Sequence, residues 1–319
     1  MTVEIRDFID SYPHQTPPGE RVELIRQIEK LRRERKAVLL VHNYQLPEIQ
    51  ELADFLGDSL GLSRKAVETD ADVIVFCGVH FMAQTAKLLN PERPVLLPDS
   101  TAGCPLADTI TPTQLEQFKA KHPGCPVVAY VNTTAEVKAG SDICCTSANS
   151  AKIVQSLAAE RILFVPDKYL AAWTQQQTDK EVVAYNGVCP THALFTAQML
   201  QQAKEEHPDA VAMCHPECPP QVTQLCDVVA STSGMVKAAE EMDAEEFIIA
   251  TEWGLACRLA REHPDKRFYI FPEAICHEMK KTTLPKLAAC LQEMSDAVHI
   301  SEDIAGRARR AVQRMLEVK

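Results

Sequence analysis

The chain has 319 residues, 46% of them hydrophobic and 24% charged, which exceeds one comfortable core and fits two or three globular domains. Its 44 acidic residues outweigh 33 basic ones for a net charge of −11. That balance argues against a nucleic-acid partner, since phosphate-backbone affinity comes from clustered Lys and Arg. The opening MTVEIRDFID lacks the basic and apolar regions of a secretory signal, and no apolar run approaches the ~20 residues of a membrane span. A cytoplasmic, reduced protein without a membrane partner is therefore expected. Its 12 cysteines then read as metal ligands where they converge, and otherwise as small buried hydrophobes, Cys77, Cys125, Cys257 and Cys290 among them.

Residues 1–36 form a head, with a proline-rich opening (Pro13, Pro17, Pro18) and then RVELIRQIEKLRRERK. Val22, Ile25, Ile28 and Leu31 are expected on one helical face, and the basic stretch KLRRERK on a solvated one. Module one, from Ala37 to Cys104, reads strand (AVLLV), helix (PEIQELADFLGDSLGLSRKAVE), strand (DVIVFCG), helix (MAQTAKLL), strand (PVLLP). Module two, to Cys189, carries the runs PVVAYV, DICCTS, RILFVP and EVVAYN. Module three, to Cys276, repeats the rhythm with AVAMC, DVVAST, EFIIAT and RFYIFP. In the tail, Leu284, Leu287, Leu291 and Met294 share a helix face, and Ser301 is the expected N-cap of a last helix.

Continuous apolar strands alternating with helices predict parallel sheets covered on both faces. The fold class is thus α/β: three pseudo-threefold-related three-layer αβα domains with short parallel sheets around a central cavity. The expected divisions are 1–106, 107–190 and 191–276, with C-terminal helices over 277–319 packing back on the first domain. Ligands in such sheets collect beyond the carboxyl ends of the strands.

Three cysteines keep the phase of the repeat. Cys104, Cys189 and Cys276 end the segments PVLLPDSTAGC, EVVAYNGVC and RFYIFPEAIC, 85 and 87 residues apart. The leading strands run into His42, Tyr130 and His215, 88 and 85 apart. Three equivalent thiols can meet on a pseudo-threefold axis and hold a metal centre with one position free. Passive packing at strand ends is the alternative. HPEC offers a competing metal group in Cys214, His215, Glu217, Cys218 and, further on, Cys226, but no second pair lies at finger spacing. His215 and Glu217, two apart beyond a strand, can present an imidazole and a carboxylate for proton transfer. The hydroxyl-rich strings TSANS (Thr146, Ser147, Asn149) and STSG (Ser231, Thr232, Ser233, Gly234) each follow a strand and open a helix, suiting either plain N-capping or anion binding. No GxGxxG or P-loop follows a strand, so a nucleotide cofactor is not expected.

VHNYQLPEIQELADFLGDSL from Val41, FCGVHFMAQTAKLLNP from Phe76, LLPDSTAGCPLAD, AYVNTTAEVKAGSDICCTS, NGVCPTH, HPEC and STSGM together resemble the quinolinate synthase family along the whole chain. The resemblance implies three pseudo-symmetric domains and a [4Fe–4S] cluster held by Cys104, Cys189 and Cys276, its fourth iron position open as a Lewis acid. It also implies a substrate pocket of His42, Ser59, Tyr130, Asn132, Ser147, His215, Glu217 and Thr232, with Tyr44 serving proton transfer. The implied reaction, in NAD biosynthesis, condenses iminosuccinate with dihydroxyacetone phosphate to quinolinate, phosphate and water. Iminosuccinate would come from an L-aspartate oxidase or dehydrogenase. Glu217, His215 and Tyr44 are the expected catalytic residues. Glu278 stands where many relatives have asparagine, and Cys276 lacks the C-x-x-C-x-x-C run that some carry. A zinc-dependent lyase or hydrolase using His215, and a non-enzymatic iron–sulfur sensor, are the rival readings.

Overall fold

A computed structural model describes residues 1–12 and 16–318, so Pro13 of the proline-rich opening lies outside the described residues. The strands are β1 (Val3–Glu4), β2 (Ala37–His42), β3 (Phe55–Gly57), β4 (Val73–Cys77), β5 (Val95–Leu96), β6 (Val127–Tyr130) and β7 (Ile143–Cys145), followed by β8 (Arg161–Val165), β9 (Glu181–Ala184), β10 (Val211–Cys214), β11 (Val228–Val229), β12 (Glu246–Ala250) and β13 (Arg267–Ile270). They form three sheets with orders β3-β2-β4-β5, β7-β6-β8-β9 and β11-β10-β12-β13, all parallel. Each module thus lays its second strand beside its first on one side and its third and fourth on the other. The α/β class and the three-sheet arrangement stand as expected.

One clip repeats in all three modules. Asp54, Asp142 and Asp227 each precede the module's second strand, and each takes a backbone N–H of the first strand on Oδ2: Leu39 at 2.8 Å, Val127 at 2.7 Å and Ala212 at 2.8 Å. A charge-assisted bond of this kind fixes the register of a strand too short to fix its own. Helices behind the strands begin at side-chain caps: Asp58 on Gly61 N–H, Thr134 on Val137 N–H, Asp167 on Leu170 N–H and Ser231 on Gly234 N–H.

The structure corrects several expectations. PEIQELADFLGDSLGLSRKAVE is not one helix: it divides into the turn of helix Pro47–Gln50, β3, and helix Ser59–Glu68. β3 escapes notice because three residues have no readable period. In helix Pro18–Glu34, Val22 is 52% exposed while Ile28 is fully buried. Spacing by threes drifts about 60° per step around a helix of 3.6 residues per turn, so the far end of such a row leaves the buried face. Ser301 is the N-cap of helix Glu302–Glu317 as expected, although its side chain makes no cap bond. β1 joins the third sheet, antiparallel to β13, so the head does not serve the first module alone. Helix Leu284–Glu293 lies against helix Pro18–Glu34, whereas Glu302–Glu317 spans from helix His80–Leu89 to helix Ala135–Ala139 and so bridges modules one and two. Cys125 is half-buried, while Cys77, Cys257 and Cys290 are buried.

Candidate active site

Where the three modules meet, their strand ends surround one cavity. His42, Tyr44, Ser59, Cys104, Tyr130, Asn132, Ser147, Cys189, His215, Glu217, Thr232 and Cys276 all line it. The structure therefore brings together every residue that the family resemblance implied for the site. They arrive in three tiers. First strands deliver His42, Tyr130 and His215; the loops after the second strands deliver Ser59, Ser147 and Thr232; the turns beyond the fourth strands deliver the cysteines. In STSG the roles divide: Ser231 caps the helix through its hydroxyl, leaving Thr232 to face the cavity. Among the described lining residues there is no lysine or arginine.

Two residues not singled out from the sequence pattern belong to the site, His192 in the lining and Thr251 behind it. His192 donates from Nδ1 to Glu217 Oε2 at 2.7 Å, and its Nε2 accepts from Thr251 Oγ1 at 2.8 Å. Thr251 lies immediately beyond β12 and in turn meets Tyr44 Oη at 2.5 Å. The result is a continuous chain of hydrogen bonds, Tyr44 to Thr251 to His192 to Glu217, closed from solvent: Thr251 is 0% exposed and His192 1%. His192 stood in view in NGVCPTH, and Thr251 in EFIIAT. Neither has a spacing that marks it.

His215 takes the backbone N–H of Glu217 on Nδ1 at 3.3 Å, which leaves Nε2–H to face Ser147 Oγ at 3.1 Å. It also stacks on His192, ring centroids 4.7 Å apart. Asn132 Nδ2 lies 3.5 Å from the other Glu217 oxygen. Burial alone would raise the Glu217 carboxyl, but the two imidazoles against its Oε2, His215 Nδ1 at 3.4 Å and His192 Nδ1 at 2.7 Å, overcome it and hold the group below the usual carboxylate range. Burial lowers His192 from its ordinary value and pushes His42 down to about 4. Burial and then the Glu217 charge raise the Tyr44 and Tyr130 hydroxyls well above their ordinary value. The arrangement thus joins an anionic acceptor to a protonated donor through two groups that each can pass a proton.

A family model described as "Quinolinate synthetase A protein" matches residues 26–317. This chain belongs to that family. The quinolinate synthase of Dehalococcoides mccartyi is 52% identical over 293 residues, 92% of this chain and 97% of that one. That of Thermodesulfovibrio yellowstonii is 51% identical over 294 residues, with the same shares of each chain. That of Aquifex aeolicus is 48% identical over 304 residues, 93% of this chain and 94% of its own. Identity at this level over nearly the whole length makes this quinolinate synthetase A family member an enzyme of that kind. No helix among its described residues is long and apolar enough to cross a membrane.

In this family member the three thiols sit in like surroundings. Burial raises all three, Cys276 to about 11, and backbone N–H groups two or three residues on oppose it: Leu106 and Ala107 at Cys104, His192 at Cys189, Glu278 and Met279 at Cys276. Buried sulfurs, each facing amide donors of the turn that follows it, are suited to be metal-bound thiolates. The HPEC cysteines do not share that seat, since Cys214 and Cys218 are buried among apolar residues away from the cavity wall. A second possible metal group, Cys189, His192 and Glu217, has its ligand atoms within 4.8 Å of one another.

Glu278 turns away from the cavity. Its Oε2 accepts Gly103 N–H at 2.7 Å and pairs with Lys281 at 2.7 Å, while Lys281 also donates to Thr101 O at 2.7 Å. The carboxylate therefore ties the turn before Cys104 to the turn after Cys276.

Proposed function

We propose that this chain condenses iminosuccinate with dihydroxyacetone phosphate to give quinolinate, phosphate and water in NAD biosynthesis, with a [4Fe–4S] cluster on Cys104, Cys189 and Cys276. The observation that carries the reading is the meeting, in one cavity, of three amide-facing thiols and a proton-transfer chain that ends on an ionised carboxylate. Three thiolates suit such a cluster, and its unprotected iron would supply a Lewis-acid position beside the substrate.

The side chains account for the remainder. Ser59, Ser147, Thr232 and Asn132 offer neutral donors to the carboxylates and the phosphate, so anion binding here does not depend on a buried cation. Glu217 is ionised and is the acceptor for a proton lost from carbon or nitrogen; Asn132 and His192 hold its two oxygens in place. Tyr44, kept protonated by burial, is the donor to a leaving oxygen, and Thr251 and His192 link it by hydrogen bonds to Glu217. His215, stacked on His192 and against the same Glu217 oxygen, forms a second donor pair with Ser147. Oxidation of L-aspartate by a separate oxidase or dehydrogenase supplies the imine.

The close grouping of Cys189, His192 and Glu217 favours one other reading, a zinc-dependent lyase or hydrolase. Both His192 nitrogens are already engaged, by Glu217 and by Thr251, and a zinc ion would have to displace one of them. Anaerobic purification with metal analysis and an assay of quinolinate from chemically generated iminosuccinate tests the choice. A brown protein with about four irons and four sulfides per chain that forms quinolinate is expected. A colourless zinc protein, or a brown one without turnover, contradicts it.

A further inference from the structure

Among its described lining residues the cavity has neutral donors but no lysine or arginine, in a chain of net charge −11. The cations lie one layer further out. On the outer side of the ring formed by the loops after the second strands is a second hollow, lined among others by Arg64, Asn149, Lys152 and Lys237. It shares Asp58 and Ser147 with the cavity, so the ring itself is the partition between the two.

Each module contributes one cation to this hollow, from the helix after its second strand: Arg64 on Ser59–Glu68, Lys152 on Ser150–Ser156 and Lys237 on Thr232–Glu241. All three are exposed. Lys237 has a solvent-exposed pair with Glu241 at 3.6 Å, which holds it weakly. Arg64 and Lys152 have no ion-pair partner among the described residues. The acid in the lining, Asp58, is already engaged by Gly61 N–H at 2.8 Å and Ser231 Oγ at 3.1 Å.

Asn149 supplies the independent sign of a ligand. It is 8% exposed, its Oδ1 takes the N–H of Thr146 at 2.7 Å and the hydroxyl at 3.1 Å, and its Nδ2 donates to nothing among the described residues. A buried amide donor without an acceptor is costly, and it stands in the wall of a hollow ringed by three cations. An acceptor-rich anion satisfies the cations directly, and the enclosed Asn149 amide once the wall in front of it yields.

We propose that this hollow is an anion-docking vestibule, in which Arg64, Lys152, Lys237 and the Asn149 amide hold a small oxyanion, a phosphate or a carboxylate, on the outer side of the partition. It rests on the proposed function for its purpose, which is to gather anionic substrates against the overall negative field and to receive released phosphate. The binding itself does not depend on turnover.

The test is calorimetric titration of inorganic phosphate, and separately of succinate, into iron-loaded protein whose cavity is saturated with quinolinate. The comparison is with a variant carrying Arg64→Gln, Lys152→Gln and Lys237→Gln, exposed positions whose change leaves the fold intact. Saturable phosphate binding weakened roughly tenfold or more in the variant is expected, with kcat unchanged and a kcat/KM that starts lower at low ionic strength and loses most of its salt dependence. Succinate binding alongside phosphate assigns a general oxyanion site; phosphate alone assigns a phosphate site. Equal phosphate affinity in the two proteins, or no binding in the wild type, overturns the proposal. Failure of quinolinate to bind would count against the proposed function, and the phosphate comparison would still be decided.

Discussion

In the first module His42 closes β2 and its Nδ1 accepts the N–H of Tyr44 at 3.2 Å; in the third, His215 follows β10 and its Nδ1 accepts the N–H of Glu217 at 3.3 Å. The backbone turn is the same, and the residue two places on differs: a phenol kept protonated by burial in one, a carboxylate kept ionised in the other. The second module puts Tyr130 and Asn132 at the matching places, with neither charge nor a link to Thr251. Repetition therefore builds the parts that must be alike, the thiol turns and the strand-end ring. Divergence at single positions builds a donor and an acceptor in one cavity. His192 and Thr251, which have no marked counterpart in the other modules, connect the two.

The alike part breaks hardest. Cys104→Ser, Cys189→Ser and Cys276→Ser are each expected to lose iron, sulfide and activity to a similar extent, whereas Cys77→Ser, Cys214→Ser or Cys290→Ser keeps the iron. Metal and sulfide analysis across the set checks this, and a full iron complement in any of the first three ends the equivalence. In the divergent part, Glu217→Gln is expected to keep the iron and lower turnover by roughly 10²–10⁴-fold, the usual size of a lost general acid or base. Near-wild-type turnover would remove Glu217 from the relay.

His42 sharpens the comparison through stability. Its folded pKa, about 4, lies below the ordinary value of 6.5 because burial disfavours the imidazolium. The neutral ring's contribution is thus fully present above pH ~6.5 and is lost as pH falls towards 4, by up to roughly 3 kcal/mol. Denaturant unfolding between pH 8 and pH 5 should therefore show a shallower acid slope in His42→Asn, which keeps an acceptor for Tyr44 N–H. An identical slope would show that His42 does not titrate with unfolding. The smallest effect is expected at Glu278. Glu278→Ala frees the Cys104 turn from the Cys276 turn and should speed iron loss to a chelator several-fold, with Glu278→Gln intermediate because its amide oxygen still accepts from Gly103. Unchanged iron loss in both would make the clasp incidental.

Much of this architecture was legible in the chain, for physical reasons. Buried parallel strands must be continuous apolar runs, so eleven of the thirteen strands stood out. The exceptions are β1, only two residues long and paired with a strand far along the chain, and β3, absorbed into a helical-looking stretch. The thiols and strand ends showed because a repeat keeps its phase. The aspartates of the clip, Asp54, Asp142 and Asp227, keep that phase too, 88 and 85 residues apart, yet an aspartate before a strand draws no attention without its bond in view. His192 and Thr251 were the least legible. Their role comes from distances of 2.7 Å and 2.8 Å between residues far apart along the third module, and from the 2.5 Å contact of Thr251 with Tyr44 of the first, which no local pattern encodes.

The central claim is that Tyr44, Thr251, His192 and Glu217 act as one chain rather than as separate contacts. A double-mutant cycle on Thr251→Val and Glu217→Gln, read as single-turnover quinolinate formation in protein of verified iron content, tests it most directly. Thr251→Val alone should slow the reaction roughly 10- to 100-fold, in the range of a lost supporting hydrogen bond. If the four residues act as a unit, the double variant is no slower than Glu217→Gln alone, since a broken chain cannot be broken again. Losses that multiply would contradict the account and leave Tyr44 and Glu217 as independent groups.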